Sequence, residues 1–302
     1  MVQRRLGVAL GAGAARGWAH IGVLQALAER GIVPDVVAGC SSGAFVGAFA
    51  AARRLDDLAR IALDMSWLET LRMLDWRPLQ AGLIQGGQVG ELLCRHLGEV
   101  AIEDLPLPFG ATTTELATGR ERWLMSGPLD AAVRASMAVP GFMAPQHLDG
   151  RLLVDGALIN PVPISLAKAL GADVIIAVAL GGELSLDLAL EGRRSEPDKV
   201  AVDHLVQALG VRSVDRSDDR EPGFFEVVGQ AMVAVQNFVT RVRLASEPAD
   251  LLLIPDMTGI GLFDFHHAEA AIAAGRAAVD AAAEHIDRLI DHKARPKRDE
   301  QG

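Results

Sequence analysis

The chain has 302 residues, half of them hydrophobic and 23% charged, which fits a globular protein with a sizeable core and excludes a largely disordered or fibrous one. Its 29 Lys and Arg against 39 Asp and Glu give a net charge of −10, so it lacks the basic face a nucleic acid demands and has no general pull toward anionic lipid. Cys40 and Cys94 are its only cysteines, too few for a disulfide framework and without zinc-type spacing, so a reducing, cytoplasmic setting is expected.

Arg4 and Arg5 followed by LGVALGAGAA imitate a secretion signal, but the apolar run is short, broken by Gly7, Gly11 and Gly13, and followed at once by Arg16. Leu6 to Leu10 therefore reads as a short buried strand. A glycine-rich turn follows, then a helical pattern from Trp18 to Glu29 that Gly31 stops. The unit repeats at once, with a strand at Val36 to Ala38, a sharp turn at Gly39 to Gly43 and an Ala-rich helix at Ala44 to Arg53. Strand, turn and helix twice over predict a parallel sheet with helices packed on it.

Met65, Trp67, Leu68, Leu71, Met73, Leu74 and Trp76 form an apolar stretch that ends near a loop at Ala81 to Gly87. It reads either as a packed helical hairpin or as an acyl-chain pocket or cap meeting lipid. Phe109 to Glu115 and Glu121 to Met125, joined by Ala117-Thr118-Gly119, predict an antiparallel hairpin. Further strands are expected at Arg151 to Val154, Val174 to Ala179 and Leu251 to Ile254, with a helix over Ile164 to Leu170.

Residues 183–226 hold eleven acids against six bases and read as an irregular, solvated insertion with one helix at Val200 to Leu209. Phe224 to Arg243 recovers an amphipathic pattern, Ala268 to Ile290 is a closing Ala-rich helix, and the tail after Lys293 is charged. The expectation is one domain over 1–302: a core at about 6–180, the insertion, a helical part at about 227–292 and the tail 293–302. No stretch reaches the ~18 apolar residues of a membrane span, so a soluble protein with at most peripheral membrane contact is expected.

Three features carry chemistry. Gly39-Cys40-Ser41-Ser42-Gly43 fits G-x-S-x-G, a strained turn that pushes a serine hydroxyl out between strand and helix, where the helix dipole favours an anionic intermediate. An ordinary Gly-Ser turn is the plain alternative. Gly11-Ala12-Gly13-Ala14-Ala15-Arg16-Gly17 exposes backbone N–H groups at a helix start and suits a phosphate or an oxyanion. A dinucleotide fingerprint competes, but the glycines are spaced G-x-G-x-x-x-G and no acid ends the second strand. Asp155, followed by Gly156 and Ala157, stands at the end of an apolar strand, where α/β active sites gather, although Asp-Gly is also a common turn.

Together these features resemble the patatin-like phospholipases, in the small bacterial branch similar to neuropathy-target-esterase catalytic domains. The resemblance runs through GVALGAGAARGWAHIGVL, PDVVAGCSSGAFVGA, RASMAVPGFMAP and LLVDGALINPVPISLAKALGADVIIAV, fading beyond residue 185 to a closing segment at Phe263 to Gly275. It implies a three-layer α/β/α fold with a mixed, mainly parallel sheet, and hydrolysis of lipid carboxylic esters. Ser41 is then the nucleophile, Asp155 its proton acceptor, and Gly11 to Gly17 the oxyanion loop, with N–H groups around Gly13 and Ala14 as donors. Lipid or acyl ester is the implied substrate, and no histidine, metal or cofactor is required. Membrane contact is then peripheral, at the inner face. Ala12, Cys40, Ser42 and Ala157 depart from the residues common in that branch.

Several competing readings remain. A Ser-His-Asp triad would draw on His147 or His204, and His266-His267 lacks the spacing of a metal pair. Cys40 is either a reactive or a small buried thiol. Arg16 either holds the loop or meets a lipid phosphate. Gly13 is expected at a φ that only glycine accepts readily. A regulatory or scaffold protein with little turnover is the alternative function, and a nucleotide-dependent oxidoreductase a third.

Overall fold

Short apolar runs bounded by glycine build the centre of the structure. It is a computed structural model and describes residues 4–65, 76–79, 82–84, 86–181 and 224–293. The elements, in chain order, are β1 (Leu6–Leu10), a 3₁₀ turn (Ala14–Trp18), α1 (Ala19–Glu29), β2 (Val36–Cys40), α2 (Ser42–Ala51), α3 (Leu55–Leu63), β3 (Trp76–Leu79), β4 (Gly82–Ile84) and α4 (Gly87–Leu97). Then come β5 (Phe109–Glu115), β6 (Arg120–Leu124), α5 (Leu129–Ser136), β7 (Gln146–Leu148), β8 (Arg151–Asp155), α6 (Ile164–Ala169) and β9 (Val174–Val178). The last are α7 (Phe224–Ser246), β10 (Leu251–Leu253), α8 (Ala268–Ala281) and α9 (Ala283–Lys293).

The sheet order is β10-β9-β1-β2-β5-β8-β7, with β6 also paired to β5. The pairs from β10 to β5 are parallel, and those among β5, β6, β7 and β8 antiparallel. Side chains alternate across it. Leu6, Val8 and Leu10 join the apolar cluster of Ile21, Leu27 and Phe49, while Ala9 joins Ile164, Leu166 and Ala167 of α6 on the other face. The fold is α/β, a mixed, mainly parallel sheet flanked by helices.

Two strands reach the same partner from opposite directions. On β5, Thr112 pairs with Cys40, the last residue of β2, and the next residue, Thr113, pairs with Asp155, the last of β8. Because β6 overlaps both of them along β5, it must take the other edge, so β2 and β8 lie on one edge with their C-terminal ends meeting. An ion cluster fixes the register: Arg122 of β6 and Arg151 of β8 both donate to Glu115 of β5.

Several expectations are corrected. The ladder continues through Gly39 and Cys40, and α2 starts at Ser42, so the sharp turn is one residue long rather than five. The helix expected from Trp18 begins at Ala19, after a tighter 3₁₀ turn. The closing helix is interrupted at Ala282 and forms two. Trp76 opens a strand rather than continuing a helical hairpin, and the loop expected at Ala81 to Gly87 holds β4 and the first residue of α4. Trp67 to Leu74, residues 183–223 with the helix expected at Val200 to Leu209, His204, and the tail from 294 lie outside the described residues. Among the described residues no helix is long and apolar enough to cross a membrane.

Helices α1 and α8 touch backbone to backbone. A Cβ on Gly22 would lie 1.9 Å from the Ile272 carbonyl oxygen, and one on Gly275 2.0 Å from that of Ala19. Neither atom can yield without parting the helices. Replacing Gly275 by Val is expected to lower stability by roughly 1–3 kcal/mol or more, read as a lower urea midpoint at unchanged slope.

Candidate active site

Between β2 and α2 the chain reverses across Ser41, which has φ 54° and ψ −121°. A non-glycine residue held there costs of order 1–3 kcal/mol, so surrounding contacts must impose the conformation. Ser41 N donates to Ser136 Oγ at 2.9 Å, and Ser136 Oγ donates to Thr112 O at 2.7 Å, tying the turn to β5. The Ser41 carbonyl accepts from Ala44 N and Phe45 N as the first turn of α2. Glycine is needed at 43 for space, because a Cβ there would lie 2.1 Å from the Leu10 carbonyl oxygen.

The meeting of β2 and β8 places the serine against the aspartate. Ser41 Oγ donates to Asp155 Oδ2 at 2.6 Å, with no imidazole between them. Asp155 is fully buried and Ser41 nearly so. Oδ1 of Asp155 accepts from Ala157 N at 2.8 Å, capping the turn Gly156–Leu158, while Asp155 N donates to Ala138 O and its carbonyl accepts from Thr114 Oγ1. Burial pushes the Asp155 carboxyl up to about 6, against the opposing hydrogen bonds from Ser41 and Ala157. The result is a carboxylate more basic than an exposed one, already bonded to a hydroxyl.

The glycine-rich loop is pinned on several sides. Gly11 N donates to Val178 O, Ala12 N to Pro161 O, Ala15 N to Leu262 O and Arg16 N to Gly13 O. Gly13 N and Ala14 N, by contrast, donate to no acceptor among the described residues. The Arg16 bond fixes the Gly13 carbonyl, so the Ala14 N–H on the same trans peptide points the opposite way. A Cβ on Gly17 would lie 2.4 Å from Ser42 Cβ, which shows how closely the loop approaches the serine turn. These two N–H groups are the loop's unspent donors for an anion.

Most of the expected residues thus converge. Ser41, Asp155, Gly39 to Gly43 and Gly11 to Gly17 form one constellation, with Gly156 and Ala157 beneath the carboxylate. The positive φ of the loop, 49°, falls on Ala14, whereas Gly13 has φ −179° and ψ 5°. Space constrains Gly13 as well: a Cβ there would meet Leu180 Cδ1 at 2.8 Å. Arg16 donates from Nε to the Ile260 carbonyl, the loop-holding role. The Cys40 thiol is fully buried, and burial, then the carboxylates of Asp155 and Glu121, hold it protonated far above its ordinary range. His147 is exposed on β7, and His266 and His267 lie in a 3₁₀ turn before α8. Among the described residues no group of three or more His, Cys, Asp or Glu is gathered around a metal position.

Two contributors carry no motif. Ser136 closes a helix that also carries Asp130 and Arg134, and nothing in its spacing marks its role. His20, the single polar side chain on the buried face of α1, holds Gly11 O at 2.7 Å from Nε2. Burial lowers its pKa to about 4, so it is neutral, with Nε2–H as the donor.

A family model described as patatin-like phospholipase matches residues 8–168, which contain all of this constellation. The chain belongs to that family. An NTE family protein of Mycobacterium tuberculosis is 36% identical over 343 aligned residues, covering 96% of this chain and 94% of that protein. Patatin-like phospholipase domain-containing protein 7 of Rattus norvegicus is 37% identical over 194 residues, and the neuropathy target esterase sws of Drosophila melanogaster 36% identical over 193. Each of these two alignments covers 62% of this chain and 14% of the longer protein.

In this patatin-like chain the unusual residues leave the backbone geometry intact. Ala157 and Ala12 contribute N–H groups that any residue but proline supplies, to Asp155 and to Pro161 O.

The raised Asp155 pKa has a stability consequence. Between pH about 4 and 6 the folded chain keeps a proton that the unfolded chain releases, so stability falls as pH rises through that window. Asp155→Asn removes the buried charge. Urea unfolding is expected to show the variant more stable than wild type at pH 8, by up to about 3 kcal/mol for a shift from 3.8 to about 6. The gain should vanish near pH 4.

Proposed function

We propose that the protein is a serine lipid acyl hydrolase that cleaves carboxylic esters of phospholipids or lysophospholipids through a Ser41–Asp155 dyad. The observation that carries this reading is the 2.6 Å bond from Ser41 Oγ to a fully buried Asp155, beside a loop with two unspent N–H groups. Membership of the patatin-like family supports the hydrolase class and a lipid substrate.

As Ser41 Oγ attacks the ester carbonyl, its proton passes to Asp155 Oδ2, and the N–H groups of Gly13 and Ala14 stabilise the tetrahedral oxyanion. Such a donor contributes on the order of 2.7–4 kcal/mol in other serine hydrolases. The carbon–oxygen bond to the leaving alcohol then breaks, and Asp155 returns the proton to that alcohol. Water enters, gives its proton to Asp155 and attacks the acyl-serine. The proton goes back to Ser41 Oγ as the fatty acid departs. A base near 6 suits both transfers, since it is ionised at neutral pH yet basic enough to share a hydroxyl proton.

Ser41→Ala and Asp155→Asn are each expected to abolish ester hydrolysis, because nucleophile and base act as one unit. Wild-type kcat/KM should rise with pH through about 6, the value set by burial of Asp155. Alanine at His147, His204, His266, His267 or His285 should leave most of the activity. A fluorophosphonate should add its mass to the Ser41 peptide. A histidine variant as inactive as Ser41→Ala overturns the dyad, and an unlabelled Ser41 in folded protein favours a scaffold with little turnover. Gly13→Val should stay folded and lose kcat steeply, since its side chain must displace the loop from Leu180; near-normal turnover removes Gly13 from the site.

A further inference from the structure

Two loops that border the site meet through a pair of aromatic rings. One is the segment Val139 to Met143. It follows Ala138, whose carbonyl accepts from Asp155 N, and it is closed by Phe142 N and Met143 N, both donating to Val139 O. The other, residues 260 to 265, is strapped onto the glycine-rich loop by three hydrogen bonds from consecutive features of that loop. Arg16 Nε donates to Ile260 O, Ala15 N to Leu262 O and Trp18 Nε1 to Phe265 O. One loop is therefore anchored to the proton-acceptor side of the dyad and the other to the oxyanion side.

Phe142 and Phe263 join them, with ring centroids 5.5 Å apart and an interplanar angle of 39°. Phe263 is 45% exposed and Phe142 partly buried, so the pair reaches the surface, whereas Ser41 is only 6% exposed. Gly261 N and Asp264 Oδ2 close the strap around Phe263, and the flanking hydrogen bonds fix where its ring can go. A ring pair that joins two loops bonded to the site, and stands partly in water, offers an apolar surface to an apolar ligand.

We propose that Phe142 and Phe263 form the wall against which the acyl chain of the substrate lies, and that they set the preference of this enzyme for long over short acyl groups. The assignment rests on the acyl-hydrolase reading above and names the residues that select within it. Methylenes beyond the ester carbonyl leave water for the two ring faces, and a chain too short to reach them gains nothing there.

The test compares p-nitrophenyl octanoate with p-nitrophenyl acetate for wild type, Phe142→Ala, Phe263→Ala, the double variant and Phe263→Leu. Wild type should prefer octanoate in kcat/KM. In the double variant that preference should fall at least tenfold, mainly through a higher KM for octanoate, while acetate hydrolysis is affected less. Phe263→Leu, which keeps an apolar contact, should recover most of the preference. Phe263→Ser serves as a second exposed-ring variant should the double variant not fold. An octanoate-to-acetate ratio unchanged from wild type, equal losses on both esters, or no octanoate preference in wild type overturns the assignment while leaving the hydrolase standing. A wild-type protein that hydrolyses neither ester, with Ser41 unlabelled by fluorophosphonate, overturns the hydrolase reading itself and this wall with it.

Discussion

A carboxylate without solvent, bonded to a serine hydroxyl, is the constraint around which the molecule is arranged. Taking Asp155 out of water is unfavourable, and the hydrogen bonds that Ser41 Oγ and Ala157 N donate to its two carboxylate oxygens offset part of that, while Ala138 O holds its main-chain N–H. None of these can be supplied by a flexible surface loop. They require β2 and β8 to end against consecutive residues of β5, which in turn requires a parallel neighbour and an antiparallel one on a single edge. The switch in strand direction along β5 is thus what brings Ser41 and Asp155 together. The Glu115 cluster with Arg122 and Arg151 keeps that register from slipping.

Close packing supplies the second half of the arrangement. The serine turn, the glycine-rich loop and the Asp-Gly turn approach one another so nearly that a single added methyl at Gly17, Gly43 or Gly156 would fall inside 2.5 Å of a neighbour. The proposed reaction needs backbone N–H groups near the ester carbonyl, and side chains on those glycines would hold them away. The same backbone-to-backbone contact recurs far from the chemistry, between α1 and α8, where Gly22 and Gly275 hold the N-terminal helix beneath the loop it supports.

Motif spacing made much of this visible before any coordinates. Ser41, Asp155 and the loop Gly11 to Gly17 stand at strand ends, where period and glycine placement are strong signals, and the sheet strands were legible for the same reason. Helices α3, α4 and α5 mix polar with apolar residues and follow no glycine-rich turn that would announce them, and β3, β4 and β7 have three or four residues, too few to carry a period. The exact turn was misplaced because Gly39 and Cys40 look like turn residues, yet the β5 ladder recruits both. His20 and Ser136 carry no sequence signal because both act only through hydrogen bonds to main-chain groups, which leave no spacing to recognise. The positive φ of the loop belongs to Ala14 rather than Gly13, and the contact of Gly13 with Leu180 comes from a residue far along the chain that no local motif announces.

That distinction between side-chain motifs and main-chain contacts divides the chain by role. The family match spans residues 8–168, where the reacting groups lie, while later segments hold those groups largely by main-chain atoms. Carbonyls of Ile260, Leu262 and Phe265 receive the loop residues, and Arg243 of α7 reaches Ile159 O beside the Asp-Gly turn and Glu121 beyond it. A carbonyl is present whatever side chain accompanies it, so the strap can exchange Phe263 for another residue and still secure the glycine-rich loop. In the proposed reaction, chemistry and substrate selection would then be set by different atoms of the same segment: the main chain of 260–265 holds the glycine-rich loop, and its outward side chains are free to alter what lies against them.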